Sequence, residues 1–101
     1  MTKEESIKIV EKSWLAKLAA LKLRSPKIAM AWGKKILLSG VSKEDFLADT
    51  KWLRHEREHL KQIEQLGFLK FLWSYTIESI KHGYHNNKFE IAARAAETNE
   101  H

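Results

Sequence analysis

The chain has 101 residues, of which 44% are hydrophobic and 31% charged, and it carries a formal net charge of +5 at pH 7. This length and balance predict a single globular domain over residues 1–101 and exclude an intrinsically disordered chain. The sequence has no cysteine. Disulfides and thiolate metal sites are therefore excluded, and any metal must be bound by His, Asp or Glu.

The distribution of charge and hydropathy gives expectations about location and partners. Residues 1–5 are mostly charged and have no apolar signal-peptide core, and no apolar run approaches the length of a membrane span. Together with the lack of cysteine, this favours a cytoplasmic protein. The lysines are scattered among glutamates, so the positive charge predicts a solvated mixed surface, and no nucleic-acid partner is expected.

The first predicted element is a helix over Ser6–Leu23. Its apolar residues recur at three- and four-residue steps, as in an amphipathic helix. They are Ile7, Val10, Trp14, Leu18 and Leu21, widened by Leu15. We expect the helix to end at Arg24-Ser25-Pro26, because proline disfavours helical backbone in the residue before it.

Residues Lys27–Val41 predict a β-hairpin or two short strands. Apolar residues alternate from Ile28 to Trp32, and Gly33 can adopt the positive φ of a tight turn. Ser39-Gly40 is expected to close the second strand. A hairpin alone is marginally stable in water, so we expect it to pack against helices.

A second helical region begins at Ser42, a favourable N-cap followed by Glu44 and Asp45 in the first turn. The helical pattern continues to Leu66, with a break expected near residues 48–50. Gly67 then suits the position just after a helix, where glycine is the commonest residue.

Two further helices are predicted in the last third of the chain. Phe68–Lys81 is the most apolar, and its apolar residues predict a buried stripe rather than a membrane anchor. That stripe comprises Leu69, Leu72, Trp73, Thr76, Ile77 and Ile80. The four tryptophans, Trp14, Trp32, Trp52 and Trp73, are expected in the core or at its rim. After a turn-rich loop, an alanine-rich helix is predicted over Lys88–Glu97.

The pentapeptide His55-Glu56-Arg57-Glu58-His59 lies within the second helical region and reads H-E-x-x-H. Residues four apart lie on one helix face, so His55 and His59 can bind one metal ion while Glu56 faces a water on that ion. This is the layout of a zinc-dependent peptide-bond hydrolase. Such a site needs a third protein ligand. Glu90 and Glu97, on similar faces of the last predicted helix, are the two candidates.

Further residues extend the motif. Gln62 lengthens it to H-E-x-x-H-x-x-Q, and residues 84–93 read Y-x-N-x-x-F-E-x-x-A, with Glu97 following. On these features, and on the hairpin of residues 29–36, the segment 27–97 resembles the gluzincins. These are zinc peptidases with H-E-x-x-H on one helix and a glutamate ligand on a second. Its size is similar to that of the minimal single-domain members, the minigluzincins.

The resemblance implies an α+β fold, mostly helical and zincin-like. It would contain a β-hairpin or small sheet, an H-E-x-x-H helix, an apolar backing helix and a C-terminal helix carrying the third ligand. It implies that His55, His59 and Glu90 bind Zn²⁺ and that Glu56 is the general base in the hydrolysis of a peptide or protein substrate. It also implies an edge strand for an extended peptide, with Ala29–Trp32 as one candidate. Minigluzincins can be latent zymogens, and here the tail Asn99–His101 would block the cleft.

The sequence alone leaves alternatives for the support of His55, the oxyanion donor and the function. Some relatives carry an Asp four residues after the glutamate ligand, where this chain has Arg94, so the hydrogen-bonding support of His55 lacks an obvious source. Tyr84 and His85 are both candidates to stabilise the oxyanion. The competing functions are a catalytically silent zinc-binding interaction domain and a basic nucleic-acid-binding adaptor.

Overall fold

The computed structural model describes residues 7–98. Within that range the chain forms five helices and a three-stranded sheet, which confirms a mostly helical α+β fold. The elements are β1 (Lys8–Val10), α1 (Trp14–Leu23), β2 (Ile28–Trp32), β3 (Lys35–Ser39), α2 (Lys43–Ala48), α3 (Thr50–Leu66), α4 (Phe68–His82) and α5 (Lys88–Glu97). None of these helices is both long and apolar enough to cross a membrane.

The chain divides into two compact units at the boundary between Asp49 and Thr50. The first contains the sheet with α1 and α2, and the second contains α3, α4 and α5. The expectations about the N-terminal residues 1–5 and the blocking tail Asn99–His101 concern segments outside the described residues.

The sheet has the strand order β1-β3-β2, with β3 in the centre. β2 and β3 pair antiparallel, from Ile28 opposite Ser39 to Trp32 opposite Lys35, so the predicted hairpin is confirmed. Gly33 lies in the hairpin turn with φ +65°, a conformation that glycine adopts without strain. β2 is an edge strand of the described sheet, and Ala29–Trp32 lies within it.

Gly40 follows β3 at a point where two backbone segments come very close. Its φ is +77°, and a Cβ atom built there would lie 1.9 Å from the carbonyl oxygen of Pro26. Any larger residue would therefore force the chain segments apart, so the glycine at the end of the hairpin is a steric requirement.

The prediction of one helix over Ser6–Leu23 is wrong in its first half. Lys8–Val10 forms the strand β1, which pairs parallel with β3, and α1 begins only at Trp14. Ile9 and Val10 are β-branched and suit a strand, where their side chains pack on the pleated surface. Ser13 then starts the helix, because its hydroxyl accepts a hydrogen bond from the Ala16 N–H at 3.3 Å.

Helix α1 packs on the sheet through its small residues. Ala16 and Ala20 are buried and α1 contacts β2 and β3. The predicted apolar positions Trp14, Leu18 and Leu21 are instead exposed. The expectation that Trp14 lies in the core or at its rim is therefore wrong, because the alanine face allows the closest approach of helix to sheet.

The core of the first unit is formed by Ile36, Leu38 and Phe46, which are fully buried. Phe46 lies in α2, whose N-terminus is capped as predicted: the Ser42 hydroxyl accepts a hydrogen bond from the Asp45 N–H at 3.0 Å. The predicted break is also confirmed, since α2 ends at Ala48 and the next helix begins at Thr50.

In the second unit, α3 packs against both α4 and α5. The predicted buried stripe of α4 is wrong, because Leu69, Trp73 and Ile80 are exposed. The face that packs contains Phe71, whose ring centroid lies 5.2 Å from that of Phe89. The rings of Phe71 and Tyr75 on that face pack against the interior of the unit, and Leu69, Trp73 and Ile80 on the opposite side of α4 are left outside.

Candidate metal centre

His55 and His59 lie one turn apart on α3 and point their rings at one carboxylate. The Nε2 atom of His55 is 2.9 Å from Oε1 of Glu90, and Nε2 of His59 is 3.1 Å from Oε2. One ligand atom from each of the three residues can be chosen so that all lie within 4.8 Å of one another. The structure thus brings together the two histidines and the glutamate predicted from the sequence, and these residues could hold a metal ion.

The start of α5 fixes the position of Glu90. Asn87 is fully buried and its side-chain oxygen accepts a hydrogen bond from the Phe89 N–H at 2.8 Å, as an N-cap. Its amide group donates to the Tyr75 carbonyl and the Ser79 hydroxyl of α4, at 3.1 and 2.9 Å. The first turn of α5 is therefore held against α4, with Glu90 buried.

The Nδ1 atom of each histidine faces a different hydrogen-bond acceptor. Nδ1 of His55 lies 2.7 Å from Oε2 of Glu97, and Nδ1 of His59 lies 3.0 Å from Oε1 of Gln62. These partners place the proton of a neutral imidazole on Nδ1 and leave the Nε2 lone pair for a metal. The Gln62 amide also donates to the Phe89 carbonyl at 3.1 Å, which links α3 to the start of α5.

The charges of the cluster favour a cation between the three residues. Burial alone would lower the pKa of His55, but hydrogen bonds to Glu90 and Glu97 outweigh it and raise that pKa to about 9. The pKa of His59 is also raised, since the bond to Glu90 outweighs burial. The pKa of Glu90 is lowered, as hydrogen bonds from both histidines outweigh its burial.

Without metal, the Nε2 atoms of His55 and His59 both lie at hydrogen-bond distance from the Glu90 carboxylate. A divalent cation between the three residues would take the place of these N–H contacts as the positive charge that the carboxylate faces. The donor set therefore fits a divalent metal both in its atoms and in its electrostatics.

Glu56 lies beside this cluster and is buried, with 5% of its surface exposed. Its negative charge contributes to the raised pKa of both His55 and His59. The predicted general base is thus close enough to the ligand residues to act on them electrostatically and is shielded from bulk water.

Tyr75 is a residue of the site that sequence reasoning missed. Its hydroxyl donates a hydrogen bond to Oε2 of Glu90, and its ring contacts that of His59 edge-on, with centroids 6.1 Å apart. Burial and the bond to Glu90 raise the pKa of Tyr75, so the phenol stays protonated and donates. The available signal was a polar aromatic residue one turn after Phe71, on the same face of the helix.

Glu97 contacts the opposite side of the His55 ring from Glu90. As a competing candidate for third ligand, it bonds Nδ1 rather than Nε2 of that ring. It thereby supplies the support for His55 that the sequence left open at Arg94. The Arg94 guanidinium instead donates to the carbonyl of His85.

The two candidate oxyanion donors have different surroundings. Burial of the phenol, followed by the charges of Glu90 and Glu56, raises the pKa of Tyr84 to about 12, although the residue as a whole is 61% exposed. The charges of the cluster therefore act on the Tyr84 phenol. For His85 the contact to Arg94 is made by the backbone carbonyl.

No family model, curated protein or solved structure matches this chain.

Proposed function

We propose that this chain is a zinc-dependent metallopeptidase of gluzincin type. His55, His59 and Glu90 would hold the ion, and Glu56 would be the general base. The observation that carries this proposal is the convergence of both Nε2 atoms on the Glu90 carboxylate, while each Nδ1 is occupied by its own acceptor. Histidines that only fill a core do not need one ring nitrogen directed at a shared carboxylate and the other at a separate acceptor.

The choice of zinc follows from the donor atoms. Two imidazole nitrogens and one carboxylate oxygen are the protein ligands of many catalytic zinc sites, which leave one position open. A structural zinc site normally uses four protein ligands. Among the described residues the cluster that could hold a metal has three members, His55, His59 and Glu90, which favours a catalytic role.

The residues around the ion would carry out the proton transfer and the stabilisation of the oxyanion. Bound zinc supplies Lewis acidity, which polarises a peptide carbonyl and lowers the pKa of a water molecule. The Glu56 carboxylate accepts a proton from the attacking water and returns it to the leaving amine. The Tyr84 phenol, which is neutral at pH 7, would donate a hydrogen bond to the developing oxyanion.

Two other side chains hold the ligands in place. Tyr75 bonds one oxygen of Glu90 and so fixes the rotation of that carboxylate. Gln62 bonds both His59 and the Phe89 carbonyl, which keeps the ring aligned with the helix that carries Glu90. Such supporting contacts orient metal ligands and raise their basicity.

The decisive experiment separates metal binding from catalysis. We expect purified wild-type protein to contain close to one zinc per chain and to cleave an unfolded protein substrate. Glu56→Gln should keep the zinc and lose hydrolysis, because the amide cannot accept the proton. Glu58→Gln, which changes a carboxylate on the same helix, should keep both properties.

A second variant, His59→Ala, tests the ligand assignment. It should lose zinc and activity together. Full activity in Glu56→Gln, or zinc-free wild-type protein after zinc supplementation, would contradict the proposal. Stoichiometric zinc without hydrolysis in the wild type would instead favour the catalytically silent zinc-binding domain.

A further inference from the structure

Two helices present apolar side chains to solvent on the side away from their packing contacts. On α1, Trp14, Leu18 and Leu21 follow one another at helical spacing and are 73%, 54% and 66% exposed. We call these three residues the α1 face. The opposite side of the helix, with Ala16 and Ala20, is the buried one, so the α1 face faces away from the packing contacts that α1 makes with the described residues of the first unit.

The second surface is on α4. Leu69, Trp73 and Ile80 lie on one side of the helix and are 79%, 71% and 79% exposed. We call them the α4 face. Contiguous exposed apolar residues of this size mark an interaction site. At such exposure the side chains protrude, so neither face is a groove that would receive a partner helix.

The charges beside both faces have one sign. Lys17 and Lys22 flank the α1 face, and the sequence of α1 contains no acidic residue. Lys70 and Lys81 lie along one margin of the α4 face and are exposed. The sole acid in α4, Glu78, falls on the other side of the helix, where it accepts a hydrogen bond from the Lys88 N–H at 3.0 Å.

This charge pattern indicates which kind of partner binds the two faces. A second copy of the chain would bring lysines against lysines, which disfavours self-association through either face. A protein partner would need a matching acidic and apolar surface for each face separately. A lipid surface has no fixed shape to match, so binding depends only on which residues the helix exposes. Helices that bind at membrane interfaces expose tryptophan and aliphatic residues flanked by lysines.

We propose that the α1 face and the α4 face each bind, by themselves, the surface of an anionic lipid membrane. The indole rings and aliphatic side chains enter the headgroup region, while the lysine ammonium groups reach the lipid phosphates. This inference concerns a surface outside the metal centre and holds or fails independently of the peptidase proposal.

The test uses the full chain with lipid vesicles. One set is phosphatidylcholine alone, and the other is an equimolar mixture with phosphatidylglycerol. We expect co-sedimentation and a blue shift of tryptophan emission with the anionic vesicles only, and release at high salt, since the lysine contribution is screened.

Variants then assign the binding to the two faces. Lys70→Gln and Lys81→Gln should each weaken binding about fivefold, the value expected for one lysine near an anionic surface. Trp73→Ser and Trp14→Ser should each weaken it about tenfold through lost apolar burial. The matched controls are Lys51→Gln and Leu47→Ser, an exposed lysine and an exposed leucine outside both faces, which should bind as the wild type does.

Several outcomes would overturn the proposal. Equal binding to neutral and anionic vesicles, or no binding to either, contradicts it. So does a loss in the control variants as large as in the face variants. Self-association that Trp73→Ser abolishes, or binding of an acidic amphipathic peptide without vesicle binding, would assign the surface to a protein partner instead.

Discussion

The two units of the chain bury different kinds of side chain. The first has an apolar core with Ile36, Leu38 and Phe46 at its centre, and Ser13 is its one buried polar residue among those described. The second buries five polar or charged residues beside a smaller set of apolar ones. They are Glu56, His59, Gln62, Asn87 and Glu90.

A buried polar group costs stability unless it is hydrogen-bonded. Within residues 7–98, no buried side-chain nitrogen or oxygen lacks a partner, so the second unit satisfies its groups. Apolar residues of similar volume would often stabilise such an interior as well or better. The interior of the second unit is thus organised around hydrogen-bonded polar residues, including the three that could hold a metal ion, whereas that of the first is organised around apolar packing.

The largest expected effect is a loss of stability when the apolar core of the first unit is changed. Phe46→Ala should lower the free energy of unfolding by about 4 kcal/mol, because it leaves a cavity in the first unit. Denaturant titration measures this, and zinc stoichiometry of the folded variant should stay at the wild-type level. Leu47→Ala, at an exposed neighbouring position, is the control. A stable variant that has lost zinc would break the distinction between the two units.

The next effect tests the cation site. Glu90→Ala removes the acceptor shared by His55 and His59 and should cost about 3 kcal/mol of stability, as for a broken buried ion pair. Zinc binding should be lost altogether, measured by metal analysis after dialysis. Glu64→Ala, on the exposed side of α3, should change neither quantity. Retention of zinc by Glu90→Ala together with its loss in Glu97→Ala would make Glu97 the ligand.

A smaller effect is expected from the residue that supports His55. Glu97→Gln keeps the size of the side chain but removes its charge, and zinc affinity should fall about 10- to 100-fold, as for other supporting contacts of metal ligands. A competition titration with a chelating dye measures this. Glu58→Gln is the matched control. If Glu97→Gln binds zinc as tightly as the wild type, the contact to Nδ1 is incidental.

The last prediction concerns the pH dependence of the metal-free protein. The pKa of His55 is raised from 6.5 to about 9, so its pairing stabilises the fold fully below pH 6.5 and is lost as pH rises through 9. The pKa of Glu90 is lowered from 4.5, so its contribution is present above that pH and is lost on acidification.

The chelator-treated protein should therefore melt at its highest temperature between about pH 4.5 and 6.5. Melting curves in EDTA measure this, and His55→Ala should show a smaller decline at alkaline pH. A melting temperature that rises from pH 6.5 to 9 would contradict the charge pairing described here.

Local signals in the sequence predicted much of this structure. The hairpin followed from alternation and Gly33, and the cap of α2 followed from Ser42. The shared helix face of His55 and His59 followed from the H-E-x-x-H spacing. In each case a few neighbouring residues determine the geometry, because turns, caps and helical spacing are local properties.

The remaining features depend on contacts between distant segments. Lys8–Val10 becomes a strand because β3 is available beside it, which the periodicity of the segment alone does not reveal. α1 and α4 are apolar on more than one side, so their sequences alone do not decide which side packs. Tyr75 and Glu97 join the site only through the packing of α4 and α5 around α3.

Glu97, the residue that braces His55, is the last of α5, and its carbonyl accepts a hydrogen bond from Arg54 at 3.2 Å. Terminal turns of helices open more readily than their middles. Opening this turn would release the imidazole from one of its two carboxylates while leaving the other in place. The affinity of the site for a metal ion would then depend on the C-terminal turn of α5. A contact that stabilises this turn would raise the affinity, and one that opens it would lower the affinity.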